Sequence, residues 1–147
     1  MDKKILRDRL QVCFCRAEKS ALSVAVRKFA EGELAVLQYI AEAGEAVNPS
    51  QISDYMALSR SRVASILSSL RQKNYVDMEI DSADRRKMSV SITAEGKKFF
   101  KARRNELSKQ IDRFIDALSA ENAELFVNCL EQAVRAFEEL QTEEKKS

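Results

Sequence analysis

The residues best equipped for chemistry fall in two short runs. The first is Ser59-Arg60-Ser61-Arg62-Val63-Ala64-Ser65-Ile66-Leu67-Ser68-Ser69. Val63, Ile66, Leu67 and Leu70 recur at helical spacing and form one apolar face, which leaves Arg60, Ser61, Arg62, Ser65 and Ser68 off it. Serine hydroxyls are small and both donate and accept hydrogen bonds. Guanidinium groups make paired bonds to planar acceptors. The second run is Arg85-Arg86-Lys87, in a polar stretch between two segments that alternate apolar and polar residues. Hydroxyls and fixed cations suit the gripping of a polyanion better than the breaking of bonds. Either run alone has a plainer reading: a serine-rich solvated helix, or a basic solvated loop.

Reaction chemistry has little to work with. The 147 residues contain no His, so imidazole-held metals or haem and a Ser-His-Asp centre are excluded. No Gly-rich phosphate loop and no clustered carboxylates stand out, and a small helical enzyme is the weaker rival. No cofactor and no metal are expected. Cys13, Cys15 and Cys129 are an odd number and suggest no disulfide framework. Cys13 and Cys15 stand two apart, about 200° around a helix, and are not placed to bond within one chain. They read as small apolar packing residues or as redox-sensing thiols, with Arg16 nearby to favour the thiolate.

These runs need a scaffold, and the sequence supplies a mostly helical one. Gly (3) and Pro (1) are scarce, while 45% of residues are hydrophobic and 33% charged. The spacing predicts a helix over 3–29 with two-sided apolar surface, and a second around Leu34–Ala41 that stops near Gly44. Asn48-Pro49 reads as an N-cap and first turn for a short helix to Met56. After a tight turn, Ser59 caps the serine–arginine helix, which runs to about Lys73. Residues 75–80 and 88–92 alternate with period two and predict a β-hairpin whose polar tip carries Arg85, Arg86 and Lys87. Thr93 opens a helix to Leu118, Ser119 caps another, and Thr142 to Ser147 reads as a charged frayed end. Phe14, Phe29, Phe99 and Phe100 read as core.

Two short helices joined by a tight turn, then a basic ribbon, make a helix-turn-helix with a wing. The fold class is mainly α with a small β-hairpin. Three segments follow: an amino-terminal dimerisation helix over 1–30, a winged helix-turn-helix lobe over 31–96, and carboxy-terminal dimerisation helices over 97–147. Net charge is only +2 but uneven. Residues 94–113 hold seven basic and three acidic side chains, and residues 114–147 three and eight. That pattern suits one face for a polyanion and another for a second copy, although ordinary surface variation also produces it. No signal peptide or membrane span is evident, so a cytoplasmic location without membrane contact is expected.

The stretch from Asn48 to Gly96 resembles the winged-helix core of the MarR family of transcription regulators. The matching pieces are P-S-Q-I-S-D-Y-M, L-S-R-S-R-V-A-S-I-L-S-S-L and D-S-A-D-R-R-K-M-S-V-S-I-T-A-E-G. The resemblance implies a homodimer with interlocked terminal helices. It also implies a DNA-binding regulator, most often a repressor, on a pseudo-palindromic operator, released by a small-molecule effector or by cysteine oxidation. Carried over by position, Arg60, Ser61, Arg62 and Ser65 face the major groove. Arg86, or Arg85 in its place, enters the minor groove, and Asp84 orients a neighbouring arginine. Asn74 and Ala57 stand where the family often has Gly. The other rival is a winged-helix module that binds protein; Arg60 and Arg62 weigh against it.

Overall fold

A computed structural model describes residues 2–144; Met1 and residues 145–147, part of the charged end expected beyond Thr142, lie outside it. Among the described residues there are seven helices and one two-stranded sheet. The helices are α1 (Lys3–Ala17), α2 (Ala21–Ala30), α3 (Gly32–Ala43), α4 (Pro49–Met56), α5 (Arg60–Gln72), α6 (Ala94–Asp116) and α7 (Ala120–Glu144). Strands β1 (Val76–Ile80) and β2 (Met88–Ile92) separate α5 from α6. No helix among them is long and apolar enough to cross a membrane. Two compact units divide at Leu107 and Ser108, within α6.

The first unit holds the core. Val36, Leu37 and Ile40 of α3, Ile52 of α4, and Val63, Ile66, Leu67 and Leu70 of α5 are buried. Val76 and Val90 of the hairpin and Val47 of the segment between α3 and α4 close it. Helices α4 and α5 begin where the sequence offers a cap, whereas α3 follows Glu31 without a side-chain cap bond. Asn48 and Gln51 form a reciprocal capping box ahead of α4, with Pro49 in its first turn. Ser59 Oγ accepts the Arg62 N–H, so α5 starts at a fixed point. Tyr75 stacks on Phe99 with ring centres 4.4 Å apart, which ties the exit of α5 to α6.

The hairpin pairs antiparallel from Val76↔Ile92 to Ile80↔Met88. Val47 bridges the outer side of β2 by exchanging two hydrogen bonds with Val90, at 2.9 and 2.7 Å. Gly96 sits where the first turn of α6 meets the backbone of Tyr75. A Cβ there would overlap the Tyr75 carbonyl oxygen and stand 2.9 Å from Ile92 Cγ1. No larger residue fits without a shift.

Several expectations need correction. The helix expected over 3–29 is two helices. Ser20 takes an extended conformation, φ −70° and ψ 150°, and its Oγ accepts the Ser23 N–H, so it caps α2 instead of continuing α1. Phe14 is not core: among the described residues none of α1 is buried, and Phe14 is 56% exposed. Helix α7 continues through Thr142, whose hydroxyl bonds back to the Glu138 carbonyl. Asn74 and Ala57 do adopt the left-handed backbone that Gly favours, with φ 60° and 52°.

In the second unit, α7 follows the end of α6 through a turn capped by Ser119. Phe114 and Phe126 meet edge to face at 5.5 Å. Leu130, Val134, Phe137 and Leu140 form a stripe along α7, each about half exposed.

Candidate nucleic-acid interface

The geometry of α5 sorts its polar residues by angle. At about 100° per residue, with Val63, Ile66, Leu67 and Leu70 inward, the direction straight out holds Ser61, Ser65, Ser68 and Gln72. Arg60, Ala64 and Arg71 fall on one flank, and Arg62, Ser69 and Lys73 on the other. Arg60, Ser61, Arg62, Ser65 and Ser68 are all exposed. The outward surface is therefore a slim hydroxyl ridge between two basic shoulders. The expectation of a mixed serine–arginine face is thereby sharpened: the serines occupy the centre and the arginines the edges.

Ser69 differs from the other serines. It is half-buried and donates to Glu33 in the first turn of α3. The other oxygen of Glu33 accepts from Lys73 Nζ at 2.6 Å. Burial pushes the Glu33 carboxyl up, but the bonds from Lys73 and Ser69 and the Lys73 charge together hold it below its ordinary value. This clamp anchors the C-terminal half of α5 to α3. Sequence reading missed it, because partners 36 and 40 residues apart leave no local signal. Sequence reading also passed over Arg71 and Gln72, although they continue the helical spacing of Ala64, Ser65 and Ser68.

The wing tip is tied by its own backbone. Asp81 Oδ1 accepts the N–H groups of Ala83 (2.7 Å) and Asp84 (3.1 Å), which lowers its carboxyl pKa. Asp84 Oδ1 accepts the Arg86 N–H at 3.0 Å, and Lys87 and Asp84 close the turn backbone to backbone at 2.9 Å. Asp84 thus orients Arg86 through its main chain. Arg85, Arg86 and Lys87 are exposed. At the wing's base, Thr93 Oγ1 donates to the Asn74 carbonyl at 2.7 Å and accepts the Gly96 N–H at 2.9 Å. One residue thereby locks the end of α5, the end of the hairpin and the start of α6.

Cys13 and Cys15 are free and exposed on α1, away from this face in sequence; Cys129 is likewise free and exposed on α7. Among the described residues, no group of His, Cys, Asp and Glu is placed to hold a metal.

A capped helix-turn-helix with a hydroxyl ridge, followed by a two-stranded basic ribbon, is the architecture of a winged helix-turn-helix protein. The sequence matches the family described as "Winged helix DNA-binding domain" over residues 33–111, and the chain belongs to that family. No curated protein sequence matches the chain. Its fold is that of MarR-like regulators. It is similar to the YusO protein from Bacillus subtilis, at 20% identity and a TM-score of 0.77, over 92% of this chain and 99% of that one. FabT from Streptococcus pneumoniae, solved in complex with DNA, is 18% identical with a TM-score of 0.63, over 95% and 99%. A MarR-like transcriptional regulator from Thermotoga maritima is 21% identical with a TM-score of 0.61, over 94% and 98%.

Proposed function

We propose that the protein is a homodimeric, sequence-specific transcription regulator of the MarR type. It binds duplex DNA at a pseudo-palindromic operator and represses by occupying it. It acts in the cytoplasm, by binding and not by catalysis. The observation that carries this reading is the outward face of α5. Ser61, Ser65 and Ser68 are small enough to let the helix approach base edges in a groove about 12 Å wide. Arg60 and Arg62 border them with charge for guanine edges or phosphates. The wing offers Arg86, or Arg85, to the adjoining minor groove, and Lys87 to the backbone.

A second copy of the chain is the partner that best covers the remaining apolar surface. Leu6, Leu10 and Phe14 on α1 and Leu130, Phe137 and Leu140 on α7 are each about half exposed. Apolar area of that extent normally marks an interface. Helix α7 carries seven acidic side chains and one Arg, while α1 is predominantly basic, so opposite charges favour pairing between copies. The segments 1–30 and 97–147 are then the dimerisation elements and 31–96 the DNA-binding lobe. A C2 dimer would set two α5 helices about one DNA turn, roughly 34 Å, apart.

An effector enters by shifting that spacing. A cavity of about 260 Å³ between α2, α3 and α4, walled by Phe29, Tyr39 and Met56 with Glu42 at its side, suits a small molecule with an apolar body. Oxidation at the exposed thiols of Cys13 or Cys15 is the second input considered. Equal peroxide sensitivity of operator binding in wild type and Cys13→Ala removes Cys13 from that role.

The test is fluorescence anisotropy with duplex DNA from upstream of the protein's own gene, together with light scattering for mass. A dimer that binds at low ionic strength is expected, and Arg86→Ala should lose about 1–3 kcal/mol of operator affinity. A monomer that ignores duplex DNA refutes the reading.

A further inference from the structure

The basic surface of the lobe does not end with α5. Arg27 and Lys28, in the last turn of α2, share one open cleft with Arg62, bordered also by Val24, Glu31 and Gly32. Three cations therefore surround a single acid. Arg27 also pairs with Glu18 at 3.5 Å, between exposed groups. Among the described residues neither Lys28 nor Arg62 makes an ion pair. With Glu18 and Glu31 set against three cations, the cleft keeps a net positive charge, and a positive open surface draws anions.

The orientation of α5 gives that charge a target. Arg62 lies on the shoulder that also holds Ser69 and Lys73, and their bonds to Glu33 turn that shoulder toward α3. The serine ridge points straight out, between the shoulders. A helix with its side chains is about 10–12 Å across and fills a major groove about 12 Å wide. When Ser61, Ser65 and Ser68 occupy the groove, one bordering sugar–phosphate strand runs along the Arg62 shoulder, past the end of α2.

We propose that Arg27 and Lys28 bind backbone phosphates of that strand, which makes the C-terminal turn of α2 a third DNA-contacting element beside the recognition helix and the wing. Arg62 links the two surfaces. The inference rests on the DNA-binding reading above and extends its footprint to residues outside the family's matched stretch. Phosphate contacts add affinity and register without reading sequence.

The experiment is an anisotropy salt series on the full chain with two duplexes of equal length, the protein's own upstream sequence and a scrambled one. Wild type, Lys28→Gln, the double variant Arg27→Gln/Lys28→Gln and Lys28→Arg are compared, each checked by circular dichroism for fold. The slope of log affinity against log salt should flatten by about 0.9 for each phosphate contact removed, and by about twice that where both half-sites of a dimer lose it. The preference for the true operator over the scrambled duplex should stay the same, and Lys28→Arg should restore the slope. If the double variant keeps the wild-type slope while wild type binds well, α2 does not touch DNA, and the recognition-helix reading survives. If the double variant keeps that slope but loses binding of benzoate by calorimetry, the cleft serves a small anion and the proposal is overturned. If wild type binds neither duplex, the DNA-binding reading itself has failed and this inference falls with it.

Discussion

Replacing Gly96 with Ala tests how tightly the wing is mounted on the helices around it. The new methyl would overlap the Tyr75 carbonyl oxygen and press on Ile92 Cγ1 at 2.9 Å. That oxygen accepts the Thr93 N–H at 3.0 Å, so the strain reaches the bond that closes the hairpin. Forcing a methyl into a filled site costs about 1–3 kcal/mol. Stretching the Thr93–Tyr75 bond adds about 0.5–1.5 kcal/mol. Better helix propensity returns about 1 kcal/mol. The net expectation is a loss of about 0.5–3.5 kcal/mol. Urea titration followed by far-UV circular dichroism, at one fixed protein concentration, would read it as a lower midpoint with an unchanged slope. Because Tyr75 joins α5 to β1, operator affinity should fall as well. A variant as stable as wild type to within about 0.3 kcal/mol would show that the backbone yields freely here, and the account of a rigid junction would be wrong.

Two further outcomes follow from local geometry. Ala57→Gly should stabilise by about 0.5–1 kcal/mol: φ 52° and ψ 39° cost an Ala about 1–2 kcal/mol, and glycine's extra unfolded entropy gives part of that back; a lower melting temperature would contradict this. Glu33→Gln should destabilise at neutral pH, and its gap from wild type should close in acid. The Glu33 carboxyl titrates below its ordinary 4.5 when folded, so its contribution is complete above 4.5 and is lost as pH falls through the lower folded value; a gap that persists well below that point would mean the carboxylate charge is not what holds α5 to α3.

Much of this lobe was legible because its signals are local. Ser59, Asn48-Pro49 and Thr93 are caps whose partners lie three residues on, and the structure begins helices at each. The change from helical to alternating period located the hairpin to within a residue at its start. The left-handed turns at Ala57 and Asn74 were pointed to by the resemblance instead, as places where the MarR family often has Gly. What was not legible depends on distance in sequence or on surfaces the chain leaves open. The Glu33 clamp joins residues far apart, and Val47 gave no strand signal because a single bridge needs only one residue. The apolar periodicity of α1 implied burial, but no described residue of α1 is buried: Phe14, read as core, and Cys13, read as a packing residue or a redox-sensing thiol, are exposed. Ser20 was the local sign of the break between α1 and α2, masked by the apolar residues on both sides of it.

The Val47 bridge also governs what the ribbon cannot become. A lone hairpin has two free margins, each able to recruit a foreign strand and seed a growing sheet. Val47 occupies part of one margin, opposite Val90. The other belongs to β1, only five residues long, with Asp77 and Glu79 exposed along it. Two such wings laid side by side would bring acid against acid. The basic tip can therefore stay thin and accessible at high concentration without fusing to its neighbours.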